Sequence, residues 1–211
     1  MRTLIVGIAG GSGSGKTTLA RVVAEEVGDC HALLLSLDNY YRDLSPLAPE
    51  KRETVNFDNP DAIDWPLFRR HLRALREATS IEMPIYRFSD HTRVSSTPIE
   101  PREVIIIEGI FALVDLTVCE LMDVRLFVDT PADIRLARRI TRDVEERERT
   151  VASVLRQWHD YVRPAYEAFI GPSARHAHLI IPEDPEGGMR DTAGKVVHSV
   201  IRDFLAARES A

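Results

Sequence analysis

Near the start of the chain, Gly10-Gly11-Ser12-Gly13-Ser14-Gly15-Lys16-Thr17 follows the pattern G-x-x-x-x-G-K-[ST]. Each residue type answers a chemical need. Glycines let backbone N–H groups turn inward around phosphate oxygens, where a side chain would stand in the way. A lysine at this spacing brings a compact ammonium to β- and γ-phosphates, and the hydroxyl after it can ligate Mg2+. Gly10 through Thr17, with Thr18 beside them, are the candidate phosphate ligands. The motif lies between an apolar run and a helical pattern, so the helix aims its positive end at the same anion. It implies a bound nucleotide without saying what receives the phosphoryl group.

Three carboxylates, Asp38, Glu108 and Asp129, each close an apolar run. Ligands of open α/β sheets sit beyond the carboxyl ends of the strands, which makes all three candidates. Asp129-Thr130-Pro131 reads instead as a helix start, with Asp129 as the capping side chain. Glu108 precedes Gly109 with no capping pattern. Asp38 precedes Asn39-Tyr40-Tyr41-Arg42, an aromatic and basic cluster unusual in a plain turn. By chemistry alone, either Asp38 or Glu108 can be the base and the other the metal partner.

Further along, Leu136, Ala137, Ile140 and Val144 form one stripe at helical spacing. Arg135, Arg138, Arg139, Arg142 and Arg149 project to the other side. The pattern equally suits a solvated face with Asp143–Arg147 and Glu145–Arg149 as i,i+4 pairs. Continuing the helix would carry Arg147 to the apolar side, so a break near Glu145 is expected.

The elements that must hold these residues alternate in type. Strands are expected at Thr3–Ala9, His31–Leu37, Val104–Ile107, Val124–Val128 and Leu179–Ile181. Helices are expected at Thr17–Val27 and Trp65–Glu77, in two arginine-rich stretches starting at Ala132 and Val151, and at Thr192–Ala207. Met83–Phe88 and Val94–Ile99 form a small hairpin, and proline-rich Leu44–Pro60 is an excursion outside the sheet. Such alternation specifies a parallel sheet with crossover helices.

The 211 residues, 44% hydrophobic and 28% charged, suit one compact domain over 1–211. A net charge of −6 argues against nucleic acid as the main partner. No run approaches a membrane span, and the short apolar stretch after Arg2 flows into the glycine motif rather than a cleavage site. Cys30 and Cys119 lack metal-ligand spacing and read as small buried hydrophobes of a protein in the reducing cytoplasm. A guanine-reading Asn-Lys-x-Asp run is absent, which argues against a nucleotide-dependent switch.

Taken in order, several segments resemble the uridine kinase (uridine–cytidine kinase) family of P-loop kinases. They are the Gly10–Thr17 loop, Asp38-Asn39-Tyr40-Tyr41-Arg42, Asn56-Phe57-Asp58-Asn59-Pro60-Asp61-Ala62 and Pro84-Ile85-Tyr86. His91-Thr92-Arg93, Ile107-Glu108-Gly109-Ile110, Phe127-Val128-Asp129-Thr130, Arg138-Arg139-Ile140-Thr141-Arg142-Asp143, Arg163-Pro164 and Ile180-Ile181-Pro182 follow.

The resemblance implies an α/β fold: a P-loop NTPase-type parallel sheet with flanking helices, a β-hairpin insertion and an arginine-rich lid. It implies transfer of phosphate from ATP with Mg2+ (GTP being a second donor) to the 5′-hydroxyl of uridine and cytidine. Carried over by position, Asp38 is the base, and Lys16, Arg142 and Arg147 serve the phosphates. Thr17 and Glu108 belong to the magnesium shell, and Asp58 and Arg139 hold the ribose hydroxyls. Tyr86, Phe88 and His91 surround the pyrimidine, with Tyr41, Arg149 and Gln157 completing the nucleoside site. A cytoplasmic homo-oligomer, such as a tetramer, is also implied. The nearest alternative is a phosphoribulokinase- or pantothenate kinase-like enzyme. The chain departs from the family pattern at Arg87, at Glu148 where the family commonly has glycine, at His176-Ala177-His178, and at Pro182-Glu183-Asp184.

Overall fold

The computed structural model describes residues 3–28 and 30–183, together with 195, 197, 199–204 and 206. Five parallel strands form the central sheet: β1 (Leu4–Gly10), β2 (Ala32–Ser36), β5 (Val104–Glu108), β6 (Val124–Asp129) and β7 (Leu179–Pro182). Their order is β2-β5-β1-β6-β7. Central strands of a parallel sheet are covered on both faces, which is why β1 and β5 are apolar runs buried at every position. The alternation of side chains then divides the core in two. Ile5, Ala9, Leu35, Ile105 and Phe127 face Phe68 and Leu72 of helix Trp65–Arg76. Leu4, Val6, Ile8, Val104, Ile106 and Leu126 face Leu19 and Val23 of helix α1 (Lys16–Val27), with Val197 and Ile201. Strands β3 (Ile81–Arg87) and β4 (Thr92–Ile99) pair as an antiparallel hairpin apart from this sheet.

The expected elements are present, most of them shifted by one or two residues at an end. Helical residues among 195–206 fall within the expected closing helix, whose remaining residues lie outside the described set. A short helix at Leu116–Glu120, capped by the Asp115 carboxylate, has no counterpart in the sequence reading. Among the described residues, no helix is long and apolar enough to cross a membrane. Cys119 is buried, but Cys30 is exposed in the turn between α1 and β2, correcting the expectation that both are interior.

One further correction concerns the start of the first arginine-rich segment. Helix Ala132–Glu145 starts without any side-chain cap, its N-cap being Pro131. Asp129 is still the last residue of β6, paired with Pro182, and so lies too early to reach the free N–H groups of the helix. Beyond Val151 the chain runs helically to His176, but not as a uniform α-helix. Wider π turns occupy Trp158–Val162 and Tyr166–Ile170. Each lies just ahead of a proline, Pro164 and Pro172, whose missing N–H and bulky ring a regular α-helix cannot accommodate.

Candidate active site

Helix α1 opens on Gly15, whose φ of 88° is in the left-handed region, and Gly13 at 80° turns the loop before it. The helix has no side-chain cap and no acidic residue in its first turn. Its first N–H groups are therefore left for an anion. Lys16 is partly buried. Burial lowers its ammonium pKa, opposed by the charges of Glu108 and Asp38 and reinforced by Arg142 and Arg139. Thr18 is exposed on the outer side of the first turn.

Parallel register then brings the carboxylates to the loop. Glu108 ends β5 opposite Ile8 of β1 and Ser36 of β2. Ser36 donates its hydroxyl to Glu108 Oε1 at 2.8 Å, and Thr17 donates to Oε2 at 2.9 Å. Asp38 follows β2 directly, and its backbone N–H is turned toward the Ser36 hydroxyl at 3.4 Å. Burial raises the Asp38 pKa, Glu108 adds to the rise, and Lys16 opposes it. A carboxylate whose pKa is raised in this way is a stronger proton acceptor than an ordinary one.

One cleft of about 580 Å3 joins these groups to the rest of the candidates. Lys16 and Asp38 line it at one end, with Arg139, Arg142, Arg147, Arg149 and Gln157 along a second wall. Tyr41, Asp58, Phe88 and His91 complete it. Burial raises the Asp58 pKa against the charges of Arg139 and Arg149. Tyr86 is not on the cleft surface. It packs behind the wall, 5.5 Å from Tyr41 and 5.1 Å from Phe88 between ring centroids. Its buried hydroxyl has no hydrogen-bond partner in the structure, and burial pushes its pKa up to about 12.

Five features were not singled out by sequence. Phe57 stacks on His91, with centroids 4.2 Å apart and planes 19° from parallel. Tyr41 donates its hydroxyl to the Phe57 carbonyl at 3.2 Å, fixing that loop. His91 has a φ of 57° and a buried Nδ1 without a partner, and burial lowers its pKa. Ser12 accepts from Arg139 Nη1 at 2.9 Å, tying the glycine loop to the arginine helix. That helix is also inverted relative to an ordinary amphipathic one. Its buried residues are Arg135, Arg139 and Asp143, while Val144 of the apolar stripe is 39% exposed. Its end at Glu145 matches the expected break.

Arg135 accounts for part of this inversion. Its guanidinium lies 3.8 Å from the Tyr166 ring centroid and 5.3 Å from that of Trp158. Its Nε donates to the Thr130 carbonyl at 2.9 Å. The π turns supply both aromatic rings, so the distorted helix packs against the base of the phosphate loop.

A parallel sheet of this order, with a glycine loop opening onto Lys16-Thr17 beneath an arginine-bearing helix, defines a P-loop kinase fold. The model of the Phosphoribulokinase / Uridine kinase family matches residues 5–190, and the chain belongs to that family. It is 45% identical to the uridine kinase of Deinococcus deserti, over 97% of this chain and 98% of that one. It is 44% identical to the uridine kinase of Ligilactobacillus salivarius, over 99% of this chain and 97% of the relative. Among solved structures, phosphoribulokinase from Rhodobacter spheroides shares the fold, with a TM-score of 0.61 at 18% identity. That match covers 86% of this chain and 70% of the other. The chain is thus a kinase of the P-loop class.

Proposed function

We propose that this kinase transfers the terminal phosphoryl group of ATP to the 5′-hydroxyl of uridine and of cytidine. The observation that carries the reading is the aromatic wall that Phe57, His91 and Phe88 give the cleft that Asp38 and Lys16 also line. A nucleobase packs against such a wall, whereas a sugar phosphate or pantothenate offers no flat heterocycle to it. The uridine kinase name of both full-length relatives points the same way.

In this reading, the Asp38 carboxylate accepts the 5′-hydroxyl proton as the oxygen attacks the γ-phosphorus and the bond to the β-phosphate oxygen breaks. Lys16, Arg142 and Arg147 neutralise the charge on the transferred group, which is the main task in a loose transition state. Asp58 accepts from the ribose diol beside Arg139. The Thr17 hydroxyl and Glu108 carboxylate are hard oxygen donors already in contact at 2.9 Å, a pair that suits Mg2+. Among the described residues there is no cluster of three or more His, Cys, Asp and Glu. The ion suited here is one held mainly through phosphates and water, and it would supply charge neutralisation. The reading also expects a cytoplasmic homo-oligomer.

The test is release of ADP or GDP, coupled to NADH oxidation, with uridine, cytidine, purine nucleosides, ribulose 5-phosphate and pantothenate as acceptors. Turnover with the two pyrimidine nucleosides supports the reading. Turnover confined to a sugar phosphate or pantothenate would replace it with the alternative kinase class.

A further inference from the structure

Asp143 is the least exposed charged residue of the cleft region, with a side-chain exposure of 0%. Four guanidinium groups converge on it. Its two oxygens divide them. Oδ1 accepts from Arg142 through Nε at 2.9 Å and Nη2 at 2.8 Å, with Arg147 Nη1 at 3.5 Å. Oδ2 accepts from Arg149 Nη1 at 3.0 Å and lies 3.6 Å from Arg139 Nε. The second pair is joined again by Gln157, whose Oε1 accepts from Arg139 at 3.2 Å and Arg149 at 2.9 Å. Even the backbone takes part, since the Arg149 N–H donates to the Asp143 carbonyl at 3.0 Å across the helix end.

This division follows function. The Oδ1 pair is the one assigned above to the phosphates, and the Oδ2 pair is the one assigned to the nucleoside. Burial alone would lift the Asp143 pKa. The hydrogen bonds and charge of Arg142, with the charges of Arg139 and Arg147, hold it below the ordinary carboxylate range. The group is therefore an anion at neutral pH, and even with Asp58 near Arg139 and Arg149 and Asp38 near Arg147 and Arg142, four guanidinium groups outnumber three carboxyl groups. The cluster keeps a positive surplus facing the cleft, where Arg147 is 49% and Arg142 32% exposed. A buried ion bonded on both oxygens is also costly to displace, so both pairs share one fixed reference point.

We propose that Asp143 is a positioning residue that couples the two halves of the site, so that nucleotide and nucleoside each strengthen the binding of the other. By linkage the strengthening factor must be the same in both directions. The inference rests on the acceptor assignment made under Proposed function.

Titration calorimetry with Mg2+ and a non-hydrolysable ATP analogue, with and without uridine, tests it. The wild type is expected to bind each ligand about 5-fold or more tightly with the other present, the usual scale of such coupling. In Asp143→Asn the factor should fall to about 1–2. The nucleotide analogue alone should also bind more weakly, although the variant has lost a negative charge near an anion site. A pure charge effect has the opposite sign, so tighter nucleotide binding would overturn the proposal. Gln157→Leu provides a neutral second variant should Asp143→Asn not fold. It contacts only the Oδ2 pair, yet should also lower the coupling factor. A wild type without coupling, or Gln157→Leu with weakened uridine binding but the full factor, overturns the inference. A wild type that binds the nucleotide but not uridine sinks the acceptor assignment, and the sign of the nucleotide effect in Asp143→Asn then decides the role of Asp143 by itself.

Discussion

Thr17 donates its hydroxyl to Glu108 at 2.9 Å across a sequence separation of 91 residues. The contact joins the first turn of α1 to the end of β5, and Ser36 at 2.8 Å holds the other carboxylate oxygen. A magnesium role for this pair predicts that Glu108→Gln raises the magnesium concentration needed for half-maximal rate, with ATP affinity at saturating metal little changed. Lys16→Ala in the same assay should leave less than about a tenth of wild-type turnover, because one preorganised contact to transition-state charge is worth about 10²–10³. Magnesium titrations of both variants check the pair. An unchanged requirement in Glu108→Gln would remove Glu108 from the metal shell.

Asp38→Asn should lower kcat by about 10²–10⁴, the range for a lost general base. Stability should move the other way. The Asp38 pKa is raised in the folded state, chiefly by burial. Its contribution is thus fully present below the unfolded value of about 3.9 and is lost as pH rises through the folded value. Above the unfolded value the raised pKa therefore works against folding, so Asp38→Asn should melt higher than the wild type at neutral pH. The gap should close on acidification below about pH 4. Thermal melts across pH give the comparison, and a lower Tm at neutral pH would count against a desolvated carboxylate.

His91→Leu should cost both uridine and cytidine about 1–3 kcal/mol in kcat/KM, the penalty for losing one polar partner of a buried group. Neutral imidazole can donate or accept, so it can serve uracil and cytosine alike. Steady-state kinetics with both nucleosides provide the check. A variant unimpaired on either base would take His91 out of base recognition.

Asp58, in turn, should make the enzyme discriminate at the ribose. An acceptor left unpaired by 2′-deoxyuridine in the occupied cleft rejects it strongly, by up to about 10⁴ where the site is well closed. Measuring kcat/KM for uridine and deoxyuridine decides the matter. Near-equal values would exclude Asp58 as a diol ligand.

Glu148 has a φ of 54°, a left-handed conformation in the bend that carries Arg147 and Arg149. Glycine takes this conformation freely, but adds chain entropy to the unfolded state. The two effects nearly cancel, so Glu148→Gly should stay within about 1 kcal/mol of the wild type. Glu148→Val should lose about 1–2 kcal/mol, since a branched side chain is poorly tolerated there. Chemical denaturation of the three proteins is the measurement, and equal stability of the valine variant would exclude backbone strain at this bend.

What was legible in the sequence was whatever local chemistry encodes. The loop from Gly10 to Thr17 names its ligand through residue type and spacing. The apolar runs before Asp38 and Glu108 mark where strands end, and hence where a site must lie. Periodicity alone failed at Ala132–Glu145, because it separates two faces without saying which is buried. An anion site takes charged side chains inward just as solvent takes them outward. The convergence on Asp143 was legible only in part: its i,i+4 pair with Arg147 was expected, but Arg149, expected opposite Glu145, turns back to Asp143 once the helix has ended. Phe57 lies in an aperiodic loop, so nothing local announced its stack on His91.

The packing of Arg135 bears on how this chain's history would be read. A Cβ placed on Gly11 would run into its guanidinium, and one on Gly13 into its carbonyl oxygen. Gly13, left-handed and against backbone, is thus closed to larger residues even when no phosphate is bound, whereas Gly11 meets only the far end of a side chain. A descendant that had abandoned catalysis would keep Gly13 for the sake of its interior. Lys16 and Asp38 are the opposite case, being ionisable groups whose charged forms burial disfavours. Without the transfer proposed above they would drift first, and their retention would record a working enzyme better than Gly13 does.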